Sequence, residues 1–578
     1  MELSGAQIIW ECLIREGVDT VFGYPGGTVI NLYDALLDYP AVHHVLARHE
    51  QGACHMADGY SRASDRTGVV IATSGPGATN LVTGLATAML DSIPMVAITG
   101  QVRSNLLGTD AFQEIDVTGV TLPITKHNYL VQRPEDIAPA LREAFAVART
   151  GRPGPVLVDI TTDAQKLKTR FDWEAAEPKR HLRHIPKPPT EELLEQALKL
   201  LRNAKRPVIL AGHGIKLSGA EAELLALAER ASVPIITTLL GISTLPASHP
   251  LNLGMLGMHG ESWTNKAVQE ADLILALGMR FDDRVTGDLK TFAPHAKKIH
   301  VDVDQSEIDK NVKVDLPIVA DLKEVLNALL PRLEAMDHAP WLAQIRANHG
   351  EARADAILAH EGLIQAPQVI HEIWKATEGK ALMVTDVGQH QMWEAQYYKH
   401  EHGLITSGGL GTMGFGLPAA IGAKMGRPDR EVWVVAGDGG IQMNIQELMT
   451  IIQEGIKVNI AIVNNGFLGM VRQWQELFYD RRYASTPLLS PDFVKVGEAY
   501  GIPGERVDKQ ADVASAIQRA RQAKGSYLIE FRVEPELSVF PMVPAGASLH
   551  EMLRRSEHMN SLGPPAAGQP SARKAGKR

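Results

Sequence analysis

Unbroken apolar runs, each closed by a glycine-rich turn and followed by a helix-like stretch, set the rhythm of this chain. Val432-Trp433-Val434-Val435-Ala436 and the run from Val458 to Val463 have the pattern of parallel strands buried on both faces. Between them Gly437-Asp438-Gly439-Gly440 forms a turn, and a helix is predicted to start near Met443. The same order recurs near the N-terminus. A strand is predicted over Val69 to Thr73, a turn over Ser74-Gly75-Pro76-Gly77, a helix over Thr79 to Leu90 and a strand over Met95 to Thr99. Four more strands are predicted over Pro207 to Ala211, Val233 to Thr238, Asp272 to Leu277 and Lys298 to Val303. Strand, helix and strand in alternation give an α/β fold class of doubly wound parallel sheets, three of them here.

The patterns divide the chain into a domain over 1–165, a linker over 166–192 and a central α/β domain over 193–340. A polar, helical linker over 341–366 and a domain over 367–560 follow. Residues 561–578 are rich in Gly, Pro, Ala and Lys and are expected to be disordered. A length of 578 residues fits such a multi-domain reading. The net charge of −9 suggests no nucleic-acid surface. Cys12 and Cys54 are the two cysteines, which leaves no disulfide framework and no zinc spacing. No apolar run reaches the length of a membrane span. Ser4-Gly5-Ala6-Gln7 resembles a helix capping box, so folded structure is expected from the first residues. A cytoplasmic protein is expected.

The chemistry concentrates at strand ends. Asp438 and, 27 residues later, Asn465 each follow an apolar run, which places both where open α/β sheets bind ligands. One carboxylate, one amide oxygen and a backbone carbonyl make a sparse, hard-oxygen site suited to Mg²⁺, whose other ligands are phosphates and water. On spacing alone, Glu50 reads as a solvated glutamate opening a helix, and Tyr24-Pro25-Gly26-Gly27 as a strand-to-helix turn. Gly409-Leu410-Gly411-Thr412-Met413-Gly414 matches the dinucleotide fingerprint formally, but only the short Leu404-Ile405-Thr406 precedes it.

Gly-Asp-Gly followed at this interval by Asn464-Asn465 resembles the signature of thiamine diphosphate enzymes, and Arg48-His49-Glu50-Gln51-Gly52 resembles their first-domain motif. The resemblance implies that 1–165 binds the pyrimidine and 367–560 the diphosphate and Mg²⁺, the metal held by Asp438, Asn465 and the carbonyl of Phe467. It implies that Glu50 hydrogen-bonds the aminopyrimidine ring and promotes formation of the thiazolium ylid. It also implies that Gly27 offers a backbone N–H near the reacting carbon, with Tyr24, Pro25 and Gly26 beside it, and that Pro76 and Asn80 support the cofactor. Gln389, His390, Gly437, Gly439 and Gly440 then meet the diphosphate, while Met413, on the turn with Gly411, wedges beneath the bent cofactor.

Four segments narrow the resemblance: Thr109 to Glu114, Gly257-Met258-His259-Gly260, Arg280 to Gly287 and Leu468 to Gln475. Together they are similar to the catalytic subunits of the acetohydroxyacid synthase (acetolactate synthase) family. The implied reaction decarboxylates pyruvate and joins the two-carbon unit to a second 2-oxoacid. Arg284 is a planar donor suited to a carboxylate; its bland alternative is an ion pair with Asp282 or Asp283. The resemblance puts Trp474 at a pocket preferring ethyl to methyl, Phe112 and Met470 along the same channel, and Gln113 near the cofactor. It further implies FAD on the central domain, contacted by Arg152, Gly212, Gly214, Met258 and His259, and by Arg280, Asp282, Asp302 and Asp321. Homodimers or homotetramers with shared active sites and a small regulatory subunit are also implied. Arg103 departs from relatives that carry Pro or a small residue there, and sets a charge at the channel mouth. Pyruvate oxidase and glyoxylate carboligase share the fold. The segments at 282–287 and 470–475 argue against the first, and Glu50 against the second.

Overall fold

The computed structural model describes residues 1–177, 187–242, 244–347, 358 and 360–554. The expected tail over 561–578 lies outside the described residues, as do parts of both expected linkers. Three six-stranded sheets are present, and every pairing within them is parallel. The N-terminal sheet runs His43–Leu46, Thr20–Gly23, Gly68–Ala72, Met95–Gln101, Pro155–Thr161, His127–Val131. The C-terminal sheet runs Leu404–Ile405, Leu382–Thr385, Val432–Gly437, Asn459–Asn464, Tyr527–Arg532, Gly504–Val507. In chain order both read 2-1-3-4-6-5. The central sheet reads 3-2-1-4-5-6 about its first strand, Pro207–Ala211.

Two central strands escape the apolar-run pattern. Asn252–Met255 contains Asn and Gly, weak strand formers. Leu316–Val319 is an edge strand with alternating burial and a proline, tolerated there because an edge amide needs no partner. The helix expected over Thr79 to Leu90 is two, Pro76–Thr79 and Val82–Asp91. The helix expected near Met443 instead starts at Asp438 and ends at Met443, where Asn444 leaves helical geometry at φ −134°. Lys168–Arg170, expected in a linker, pairs antiparallel with Glu2–Ser4. The capping box is present: Ser4 Oγ accepts from Gln7 N, and Gln7 Oε1 from Ser4 N.

The helices Glu50–Ser64 and Gly416–Gly426 carry the docking of the N-terminal sheet on the C-terminal one. They cross at backbone contact. A Cβ on Gly422 would stand 1.8 Å from the Met56 carbonyl oxygen, and one on Gly59 2.1 Å from that of Ala419. Only glycine permits such an approach. Around the crossing, Phe22, Met56, Phe415 and Ile421 join one apolar core that belongs to both sheets.

Candidate functional site

Each sheet reverses its winding between two neighbouring strands, and the residues singled out in the sequence gather at the carboxyl ends of those strands, where such folds bind ligands. In the C-terminal sheet the reversal lies between Leu382–Thr385 and Val432–Gly437. There Gln389, His390, Met413, Gly437, Asp438, Gly439, Gly440, Asn465, Phe467 and Met470 line one cleft. The register Gly437↔Val463 brings Asp438 and Asn465 to adjacent strand ends. Gly411, at φ +69°, lies on the turn before Met413 and outside that lining.

Asp438 is 1% exposed. Burial pushes its carboxyl up to about 6, against hydrogen bonds from Ser490 Oγ at 2.9 Å and from nearby backbone amides. Such a carboxylate gains from a cation beside it. Asn465 Oδ1 accepts from Phe467 N at 3.0 Å, and its Nδ2 donates to Gln389 Oε1 at 3.3 Å. Gln389 Nε2 donates to Gln473 Oε1 at 2.9 Å and Leu537 O at 3.0 Å, so Gln389 braces Asn465 from behind. His390 is buried with Nε2 unpartnered, and burial lowers its pKa to about 4. A buried polar atom left unpaired costs roughly 1–3 kcal/mol, a penalty that a ligand group can remove. Among the described residues no group of three or more His, Cys, Asp or Glu could hold a metal. A cation here therefore draws on a ligand's own oxygens, as Mg²⁺ does on phosphates.

In the N-terminal sheet the reversal separates the loop after Gly23 from the loop after Ala72. The two are tied by Thr28 and Thr73, whose hydroxyls lie 2.9 Å apart. Gly26 packs on Thr73, where a Cβ would clash at 2.5 Å, whereas the space beside Gly27 is open. Tyr24 is exposed and Pro25 lies on the same loop. Glu50 is the first residue of its helix, capped when His49 Nδ1 accepts from Gln51 N at 3.0 Å. Its Oε2 accepts from Asn80 Nδ2 at 2.9 Å, and its Oε1 lies beside Gly77, next to Pro76. The structure thus brings Glu50, Pro76 and Asn80 together. The cleft of Asp438 is lined by residues between 387 and 471, and Glu50 is not among them.

Phe112 and Gln113 sit on a loop clamped by Glu114, whose carboxylate accepts from the amides of Gly108, Thr109 and Ala111. Gln113 adopts φ +61° and Phe112 is 88% exposed. Helix Gly469–Phe478 buries Arg472 and Gln473, which bond Glu476, Ser538 and Val539. Met470 is half-buried against the C-terminal core and lines the Asp438 cleft, and Trp474 is half-buried and edge-on to Phe478. Arg284 pairs with Asp283 at 3.4 Å, both exposed, and lies 3.6 Å from Met258 Sδ. Asp282 instead caps the following helical turn. An exposed pair is worth little, so Arg284 can exchange Asp283 for another carboxylate.

Residues 3–120, 194–329 and 386–531 match the N-terminal TPP binding, central and C-terminal TPP binding domains of thiamine pyrophosphate enzymes. The chain is 49% identical to the acetolactate synthase large subunit of Corynebacterium glutamicum, over 94% of this chain and 89% of that protein. It is 46% identical to an acetolactate synthase of Mycobacterium bovis (95% and 91% covered) and 44% identical to an acetolactate synthase large subunit of Lactococcus lactis (95% and 96%). The chain belongs to the acetolactate synthase large-subunit family. It carries both thiamine pyrophosphate binding domains.

This family member has a second, larger cleft at the reversal of its central sheet, between Pro207–Ala211 and Leu273–Leu277. Arg152, Gly214, Arg280, Asp302 and Asp321 line it. Gly212 and Gly214 pack on Gly278, which admits no side chain between them. Arg152 bonds Ser92 Oγ at 2.8 Å and Glu307 at 2.9 Å. Burial pushes the Asp302 carboxyl up to about 7, and Asp321 caps the helix Leu322–Leu329. Met258, His259 and Asp282 lie outside this lining, and His259 Nδ1 stands 3.4 Å from the Pro541 carbonyl.

Three carboxylates went unassigned in the sequence because their partners are distant in the chain. Glu447 accepts from Arg48 N at 3.1 Å and fixes the approach to Glu50. Asp386 accepts from the amides of Val387, Gly414 and Gly416 and fixes the turn carrying Met413. Asp159 accepts from Thr99 Oγ1 at 2.7 Å and Gln101 Nε2 at 2.9 Å, and Gln101 closes the neck of the Phe112 loop through Val102 N and Ile115 O.

Burial raises the Asp159 carboxyl from 3.8 to about 7 in the folded protein. The folded state therefore binds this proton more tightly than the unfolded one. The stability it contributes is fully present below pH ~4 and is lost as pH rises through ~7. Denaturant titrations from pH 4.5 to 7.5 are expected to show this loss in the wild type and a smaller one in Asp159→Asn. Parallel slopes would refute it.

Proposed function

We propose that this chain is an acetolactate synthase: it decarboxylates pyruvate and joins the two-carbon unit to a second pyruvate or to 2-oxobutyrate. The products are 2-acetolactate and 2-aceto-2-hydroxybutyrate, precursors of branched-chain amino acids. The observation that carries the reading is the cleft at the C-terminal sheet, where Asp438 and Asn465 stand on adjacent strand ends beside the unpaired Nε2 of His390. Its sparse donor set fits a Mg²⁺–diphosphate group. Asp438, Asn465 and the Phe467 carbonyl would hold the metal, and His390, Gly437, Gly439 and Gly440 would face the diphosphate.

Thiamine diphosphate, when bound, supplies an acidic thiazolium carbon and an electron sink for decarboxylation. The residues of the chain do the rest. Glu50 holds or releases a proton at the aminopyrimidine ring through Oε1, while Asn80 engages Oε2. Met413 supports the cofactor from below. Arg284 grips the second substrate's carboxylate, and Trp474, Met470 and Phe112 bound its side-chain pocket.

Glu50 belongs to the N-terminal domain and does not line the Asp438 cleft of its own chain, and Phe112 and Leu489 are exposed at 88% and 95%. Both features support a homodimer or homotetramer in which one subunit's Glu50 completes the other's cleft. The central cleft, with Arg149, Arg152 and Arg280 and its glycine turns, suits FAD. The name "large subunit" carried by the relatives supports a small regulatory partner. No helix among the described residues is long and apolar enough to cross a membrane.

The test is a product assay with pyruvate, thiamine diphosphate, Mg²⁺ and FAD. Acetolactate without oxygen uptake supports the synthase. Oxygen uptake with acetate or acetyl phosphate overturns it in favour of an oxidase. Arg284→Ala is expected to raise the KM for the acceptor 2-oxoacid on the order of 10- to 100-fold, the value of one charge-assisted contact of about 1.5–3 kcal/mol. An unchanged KM would remove Arg284 from that role.

A further inference from the structure

We propose that Asp91 is a positioning residue that couples occupancy of the central cleft to the turn carrying Met413; this rests on the reading of that cleft as the FAD site. Asp91 ends the helix Val82–Asp91 and is 1% exposed. Its carboxylate serves two domains. Oδ2 accepts from Arg62 Nη2 at 2.8 Å and from Gly408 N at 3.1 Å, and Oδ1 accepts from Gly409 N at 2.6 Å. Arg62 is held by Asp58 at 2.6 Å and donates to Thr406 O at 3.0 Å. Residues 406–409, which lead into Gly411 and Met413, therefore hang on one buried ion cluster of the N-terminal domain. Thr87 and Thr412 hydroxyls, 2.8 Å apart, fasten the far end of the same turn.

The other side of Asp91 belongs to the central cleft. Its backbone carbonyl lies 2.9 Å from His213 Nδ1, and Leu90, Asp91, Ser92 and Leu240 form part of the cleft wall. Leu240 also packs on the turn: a Cβ at Gly408 would stand 2.8 Å from its Cγ. A ligand that orders this wall removes part of the cost of ordering the Met413 turn, so a second ligand resting on that turn binds more tightly. The thermodynamics are reciprocal. Buried charge clusters transmit such ordering well because breaking one partner leaves an uncompensated charge.

The test uses full-length protein and two separate readouts. Tryptophan fluorescence follows thiamine diphosphate binding in Mg²⁺ at zero and saturating FAD. Quenching of flavin fluorescence follows FAD itself. FAD is expected to tighten thiamine diphosphate binding at least about fivefold in the wild type, the lower end of ordinary coupling. The effect should nearly vanish in Asp91→Asn while FAD still binds. Leu240→Ala, which leaves the ion cluster intact, should weaken the same coupling and stands in should Asp91→Asn fail to fold. Independent binding of the two ligands in the wild type, or full coupling in the variants that fold, overturns the proposal and leaves the FAD reading intact. Absence of flavin binding to the wild type overturns both.

Discussion

Glu50→Gln is expected to form acetolactate about 10²–10⁴-fold more slowly than the wild type, the usual value of one positioned proton-transfer group. Its fold and its affinity for thiamine diphosphate should change little. The amide keeps the size of the carboxylate and can still accept from Asn80 Nδ2, which now reaches Glu50 at 2.9 Å. The negative charge lost from the first turn of the helix costs only about 0.3–1 kcal/mol. What disappears is the ability to exchange a proton at Oε1. Initial acetolactate rates, a thiamine diphosphate titration and a thermal melt on the same preparation check all three statements. A rate near that of the wild type would sink the proton-transfer role. A lost affinity with an unchanged maximal rate would make Glu50 a binding residue.

Asp438→Asn should move two quantities in opposite directions. In the absence of ligand the variant is expected to be at least as stable as the wild type above neutral pH, because burial raises the Asp438 carboxyl to about 6 and works against its charge. Thiamine diphosphate affinity in Mg²⁺ should fall by no less than the roughly 10–100-fold typical of losing even an outer support of a metal site. Cofactor at a hundred times the wild-type Kd, which adds about 2.7 kcal/mol to the wild type, would then add only about 1.4 kcal/mol or less to the variant. Melts with and without cofactor settle the matter. A retained cofactor shift would remove Asp438 from the metal. A large loss of ligand-free stability would make it a structural carboxylate instead.

The sheets were legible because strands such as Val432 to Ala436 are buried on both faces and need unbroken apolar runs, a signal local to the sequence. Edge strands were harder to see. Leu316–Val319 needs only one apolar face, and its proline argues against a strand unless the edge position is known. Asp438, Asn465 and Glu50 stood out because strand ends and short motifs lie within a few residues of one another. Asp91, Asp386, Glu447 and Asp159 did not. The partners of Asp91 include glycine amides more than 300 residues away, and those of Glu447 include the Arg48 amide, 399 residues away. A carboxylate whose whole meaning is the distant loop it holds has no local signature. Gln389 shows the same limit: the resemblance points to it as a cofactor contact, but its bracing of Asn465 depends on a segment more than 70 residues further on.

The backbone contact between the helices Glu50–Ser64 and Gly416–Gly426 has a mechanical corollary. Two helices that touch carbonyl to glycine over Gly59 and Gly422 cannot slide or rock past one another without collision. The two halves that carry the cofactor machinery therefore form one stiff chassis, and breathing of the enzyme falls to its loops. The segment 103–114 and the stretch after Phe478, with Tyr479 63% and Leu489 95% exposed, lie outside that rigid crossing.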